Sequence, residues 1–164
     1  MKAIHFGIRN RQSPALVSAF FDPDMPAEWR VGFLLNEHDA LWVGPQADDV
    51  ETVLAELADA PAPVVVVVDD SRWSDAWDEL AARAFHLVLR CSESTPIWRP
   101  GTGDAGRGAR VGLIPASDDP AQLREWLEAF MGQCPGPGAL FVDGEPPSTA
   151  TVDRLKTMAE LMGL

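Results

Sequence analysis

The chain has no tyrosine, only two lysines (Lys2 and Lys156) and only two cysteines (Cys91 and Cys134). Each scarcity excludes something. With 13 basic residues against 25 acidic ones, the formal net charge is -12, and no basic surface is available to neutralise a phosphate backbone, so nucleic acid is not an expected partner. The acidic excess is read as a solubility feature. The two cysteines lie far apart and outside any CxxC pair, which points to reduced thiols rather than a zinc site or a disulfide framework. No apolar run approaches the roughly 20 residues that span a bilayer, and the N-terminus lacks a signal peptide's apolar core. A cytoplasmic protein with no membrane partner is expected.

What the chain does have is apolar mass, 46% hydrophobic residues over 164, enough for one domain with a proper core. At its centre Val64-Val65-Val66-Val67-Val68 runs without a polar interruption into Asp69 and Asp70. A strand with one wet face would alternate, so this run reads as a parallel strand covered on both sides. Other strands are expected at 3–8, 40–43, 86–91, 110–115 and 139–142. Between them, a helix opened by Pro26 carries Trp29, Phe33 and Leu34 on one side. A second places Val50, Val53, Leu54 and Leu57 at i, i+3, i+4 and i+7, with Asp48 or Asp49 as cap. A third carries Trp73, Trp77 and Leu80 behind Ser71 or Ser74. A fourth, opened by Ser117-Asp118-Asp119-Pro120, carries Leu123, Trp126, Leu127, Phe130 and Met131, and a last one, capped by Ser148 or Thr149, carries Val152, Leu155, Ala159 and Met162. Residues 92–109, with Pro96, Pro100 and four glycines, are expected to form a lid or flexible loop. The alternation predicts a single α/β domain over 1–164 with a mainly parallel sheet, either open or curled into a reduced barrel; a complete eight-stranded barrel normally needs about 200 residues or more.

Gly7, Pro14, Phe20 and Phe21, followed by Pro26 and Trp29, resemble the opening of the YecE-like proteins, in which a first strand runs through a glycine and a polar, aromatic turn into a Phe-Tyr-Pro segment and a Trp-bearing helix. Leu113-Ile114-Pro115, Asp119 and the helix from Leu123 to Phe130 are similar to a second segment of that family. The resemblance covers about a third of the chain and implies a TIM-like barrel, here shortened. It implies no activity. Arg11 and Ser13 stand where the family has Trp and Tyr, and Leu41-Trp42-Val43 holds an apolar residue where the family has Glu, so any surviving site has different chemistry.

In a parallel sheet, ligands gather at the carboxyl ends of the strands. That would bring together Arg9 and Asn10, Asp69 and Asp70, Ser92 and Glu93, Ser117 and Asp118, and Asp143 and Glu145. Arg9, Arg11, Asp69 and Asp143 are the candidate ligand-binding residues; Asp69, Asp70 and Asp118 are the candidate ligands of a divalent cation, since clustered carboxylates suit Mg²⁺ or Ca²⁺. Helix capping explains Asp70, Ser71, Ser117 and Asp118 as readily, whereas Asp69 directly continues the buried strand. Other motifs fail on context. The GxGxxG match at 101–106 follows Arg99-Pro100 and runs into a strand, the reverse of a dinucleotide fingerprint. A receiver-type acidic pair at the valine strand lacks its phosphoacceptor, because Arg90-Cys91 occupies the position. Cys91 with His5, His38 or His86 matches no nucleophile motif. No cofactor is implied. The expected function is a non-catalytic or degenerate module that contacts a protein or small molecule; the alternative is a divalent-metal enzyme built on Asp69, Asp70 and one of Asp118 or Asp143.

Overall fold

Thirteen main helices and strands alternate along the chain, in a computed structural model that describes residues 3–44, 50–60, 62–69, 75–82, 86–92 and 94–164. In order they are β1 (Ile4–Ile8), α1 (Pro14–Phe20), α2 (Arg30–Glu37), β2 (Ala40–Val43), α3 (Val50–Ala58), β3 (Val65–Val68), α4 (Asp75–Ala82), β4 (Leu87–Arg90), β5 (Ile97–Trp98), β6 (Val111–Ile114), α5 (Pro120–Gln133), β7 (Gly138–Val142) and α6 (Thr149–Leu161). The strands form two all-parallel sheets, β1-β7-β6-β5 and β2-β3-β4. The expected α/β class with a parallel sheet is therefore found.

The valine run earns its composition by being covered twice. Val66 and Val68 pack outward against the helices, while Val65 and Val67 face the opposite way into a cluster with Ala40, Trp42, Val111, Leu113 and Phe141. The same alternation holds for Leu41 and Val43 of β2 and for Leu140 and Val142 of β7, which face outward. The inner cluster draws on both sheets, so the two are curled around a shared apolar filling rather than laid flat. Each fully buried valine contributes roughly 1.5 kcal/mol or more of hydrophobic stabilisation.

The sheets meet where β1 passes β2. Ladder pairing does not join these strands; instead the Phe6 amide donates to Asp39 Oδ1 at 2.8 Å, and Asp39 Oδ2 lies 3.4 Å from His5 Nδ1. Gly7 makes the approach possible, since a Cβ there would stand 2.3 Å from the Ala40 carbonyl oxygen and 3.2 Å from the Phe141 ring.

Several local expectations change. Pro14–Phe20 is a helix, not merely an apolar piece: Ser13 Oγ accepts from the Leu16 amide and Pro14 stands at the first helical position. Pro26 opens a 3₁₀ turn, Ala27–Trp29, before α2, so the helix faces Val31 and Leu34 inward and leaves Trp29 63% exposed. The segment expected to lack structure holds β5 and a 3₁₀ turn at Gly103–Gly106. Burial of Trp98, whose ring centroid is 5.6 Å from that of Phe130, gives that segment an anchor that Pro and Gly counting does not reveal. Asp119 caps α5 and Ser148 caps α6. The caps expected at Asp48, Asp49, Ser71 and Ser74, and the position of Trp73, lie outside the described residues. No described helix is long and apolar enough to cross a membrane.

Two buried histidines lock elements by different means. His86 accepts from the Val64 amide at Nδ1 and reaches the Leu57 carbonyl oxygen through Nε2 at 2.7 Å, which sets the Nε2–H tautomer and ties β4 to the α3–β3 connection. His38 ends α2, stacks on Phe20 and has no partner for Nδ1 among the described residues.

Gly7→Ala is expected to cost on the order of 3 kcal/mol, because backbone rather than a movable side chain blocks the new methyl; the shift in denaturation midpoint measures it. Burial, reinforced by Lys156, lowers the His38 pKa from 6.5 to about 4. Above pH 6.5 the ring is neutral in both states and adds nothing; as pH falls toward 4 only the unfolded chain takes the proton, so stability drops by roughly 3 kcal/mol. Denaturant titrations of wild type and His38→Leu across this range should differ by that slope.

Candidate functional site

Parallel pairing of β1 with β7 sets Ile8 opposite Val142, so the residues that follow each strand emerge side by side. The Arg9 amide donates to the Val142 carbonyl oxygen at 3.1 Å, and Arg9 Nη1 reaches Asp143 Oδ2 at 3.1 Å. The guanidinium also lies over the Trp42 ring, 5.2 Å from its centroid, and Trp42 packs edge-on against Phe141. Arg9 thus caps the inner apolar cluster with a charge whose stem is desolvated and whose head is paired. Both partners are about one-third exposed, which limits the ion pair to about 1 kcal/mol or less, with a similar amount from the ring contact.

A second link lies beside it. Asn10 Nδ2 and Ser13 Oγ donate to the two carboxylate oxygens of Glu145, while Gly144 N donates to Asp143 Oδ1 at 3.0 Å. Ser13 is buried and its hydroxyl serves α1 as well, so the β7 loop and the first turn of α1 are held by one oxygen. Sequence reading placed Arg9, Asn10, Asp143 and Glu145 at one end of the sheet; it named Ser13 and Trp42 only as departures from a family pattern and did not bring them to this group. A turn serine before proline signals only a cap, and an inward Trp is indistinguishable from core by spacing.

Arg11 leaves this group. Its Nε donates to the Trp42 carbonyl oxygen at 3.3 Å, and the side chain lines a different cavity, with Arg30. The candidate ligand-binding residues Arg9 and Arg11 are therefore in two different places.

Asp69 continues β3 as expected, its amide donating to the Val43 carbonyl oxygen at 2.7 Å. The neighbouring chain turns at Gly44, with φ +118° and no room for a Cβ, which would fall 1.8 Å from the Asp69 carbonyl oxygen. Asp69 is electrostatically coupled to Cys91: burial first, then the Asp69 charge, pushes the thiol pKa up, against a smaller opposing effect of Arg9. Asp118 is exposed beside Asp119, whose Oδ1 accepts from the Ala121 amide; Asp70 lies outside the described residues. No three His, Cys, Asp or Glu side chains among the described residues are grouped to hold a metal ion.

Between the loops after β1, β5, β6 and β7 lies an open depression of about 690 Å³, lined among others by Asn10, Arg99, Ile114, Pro115, Asp143 and Glu145. Its floor is apolar and its rim carries both charge signs, a surface suited to a small polar molecule.

A thiol held protonated and shielded is a poor nucleophile. Alkylation of Cys91 by iodoacetamide near pH 8 is expected to run at least about tenfold slower in the native protein than in the urea-unfolded chain, as read by peptide mass spectrometry; equal rates would mean that the strand ends admit the reagent freely. No family model matches the chain, and neither a curated protein nor a solved structure matches it.

Proposed function

We propose that this chain is a non-catalytic, reduced relative of the TIM-type barrels that binds a small ligand without transforming it. The barrel part of the reading is supported by strand order: successive strands neighbour one another within each sheet, β1 closes on β7, and one inner cluster joins both sheets. The likeness of the β1 turn and the β6–α5 segment to the YecE-like proteins agrees with it. Free Cys91 and Cys134 suit a reducing, cytoplasmic setting.

The observation that carries the non-catalytic part is the mutual pairing of charge at the strand ends. General acid–base chemistry needs a proton-carrying group within hydrogen-bond reach of substrate. Here the two acids of the β7 loop hold the β1 loop, Asp143 through Arg9 and Glu145 through Asn10 and Ser13. These side chains fasten loops together, and what remains around them is a binding surface.

Purified protein assayed with chromogenic phosphoester, ester and glycoside substrates, with Mg²⁺ and Mn²⁺ present, is expected to show no turnover above buffer. A thermal-shift screen of small metabolites is expected to yield stabilising ligands, because a molecule that binds only the folded state raises Tm. Turnover that vanishes in Asp69→Ala or Asp143→Ala would overturn the proposal in favour of a carboxylate enzyme.

A further inference from the structure

The 3₁₀ turn that swings Trp29 off the buried face of α2 leaves its indole on the outside of the molecule. Trp42, Trp77 and Trp98 are buried, whereas Trp29 is 63% exposed and its ring meets no aromatic or cationic neighbour among the described residues. A single exposed tryptophan needs no explanation. This one edges a groove of about 300 Å³ between α2 and α3, lined beside it by Phe33, Leu35 and Ala60 and by Glu56 and Asp59. The groove shares no lining residue with the strand-end depression, so it is a second surface.

Its apolar side is preformed. The Phe33 ring is fixed by edge contacts with Phe20 and Phe21, at centroid distances of 5.6 and 5.9 Å, and the Trp29 amide donates to the Pro26 carbonyl oxygen at 3.0 Å. Aromatic side chains presented in this way carry much of the binding energy at protein interfaces, because a large ring loses little entropy on contact. Its acidic side is unsatisfied. Glu56, in the last turn of α3, reaches across to α2 and lays its carboxylate against Gly32, where a Cβ would collide with Oε2. Asp59 follows the helix directly. Neither acid makes an ion pair or a side-chain hydrogen bond among the described residues, and no described basic residue lines the groove. Both also stand at the carbonyl end of α3, whose last turn has no basic residue, and the helix dipole disfavours negative charge there. A positive charge brought from outside would pair the acids and complement the helix end together.

We propose that this groove docks an arginine-bearing segment of a partner protein, with the guanidinium laid on the Trp29 ring and hydrogen-bonded to Glu56 and Asp59, and an adjoining apolar side chain on Phe33 and Leu35. Charge complementarity selects the occupant. The groove is acidic in a chain of net charge -12, and a guanidinium both stacks on an indole and forks onto a carboxylate, whereas an ammonium matches neither as well. A volume of about 300 Å³, at the small end of metabolite cavities, suits one side chain and its neighbour.

Isothermal titration of the full chain with a short, end-capped peptide of alternating leucine and arginine tests this, beside the same peptide with citrulline for arginine and beside N-acetylarginine amide. The arginine peptide is expected to bind, and more weakly as salt is raised. The citrulline peptide, of the same shape without the charge, is expected to bind at least about tenfold more weakly. N-acetylarginine amide should also bind more weakly than the arginine peptide, since it lacks the apolar neighbour. Trp29→Ala and Glu56→Gln are each expected to weaken the arginine peptide about fivefold or more, with the melting temperature unchanged. Asp59→Asn, at an exposed position, takes the place of either variant that fails to melt cooperatively. Equal binding of the arginine and citrulline peptides, unchanged affinity in the folded variants, or no heat at millimolar peptide would overturn the proposal. So would N-acetylarginine amide binding as tightly as the peptide, because the groove would then take a free cation rather than a segment of a protein. None of these results bears on the strand-end reading, which the turnover and thermal-shift measurements decide separately.

Discussion

The close passage of β1 over β2 at Gly7 governs what the two sheets can be. Without a side chain at Gly7, the backbone of β1 reaches the Ala40 carbonyl, and Phe141 and Trp42 can meet edge-on behind it. Ladder hydrogen bonds do not close this seam. Asp39 does so with its carboxylate, taking the Phe6 amide on one oxygen and standing beside His5 with the other. A side-chain bridge of this kind replaces one strand-to-strand hydrogen bond and fixes the relative height of the strands. The inner cluster, the position of Trp42 and hence the seat of Arg9 all follow from it.

The inner filling then decides the chemistry available at the strand ends. Trp42, Phe141 and the inward valines occupy the centre between the strands. Charged groups can only sit on top of this filling. Arg9 does so by laying its guanidinium on Trp42, and an exposed charge over an apolar plug gains most from a neighbour of opposite sign. Asp143 supplies it from the adjacent strand. The pairing is thus a consequence of packing below it as much as of the charges themselves.

Much of the architecture is legible in residue order because burial on two faces leaves a strong mark. The valine run, the Val53–Leu57 spacing and the Leu123–Phe130 face each have one packing solution, and each is found. β5 is not legible. Two residues, Ile97 and Trp98, between prolines and glycines carry too little periodicity to declare a strand, and only the contact of Trp98 with Phe130 on α5, far along the chain, holds them. Trp29 fails for the opposite reason: a 3₁₀ turn rotates it away from the α2 face to which its spacing assigns it. At the candidate site, strand-end logic brings Arg9, Asp143 and Glu145 together, since register alone places them. It says nothing of Arg30, which sits on a helix with no motif around it and acquires its setting only from Phe21 and the neighbouring helices.

The separation of Arg9 from Arg11 shows how a turn distributes function. Two residues apart in an extended segment, side chains would share a face. Here the chain is already leaving β1 for α1: Ser13 is committed to the helix cap and to Glu145, and the Ser13 amide returns to the Asn10 carbonyl oxygen at 3.2 Å. That bend carries Arg11 over the edge of β2, where the Trp42 carbonyl oxygen receives it. Arg9 therefore contacts the ring of Trp42 and Arg11 its backbone, one residue clamped from two directions by a pair of like charges. Each has an acceptor of its own, Asp143 for the first and a main-chain oxygen for the second.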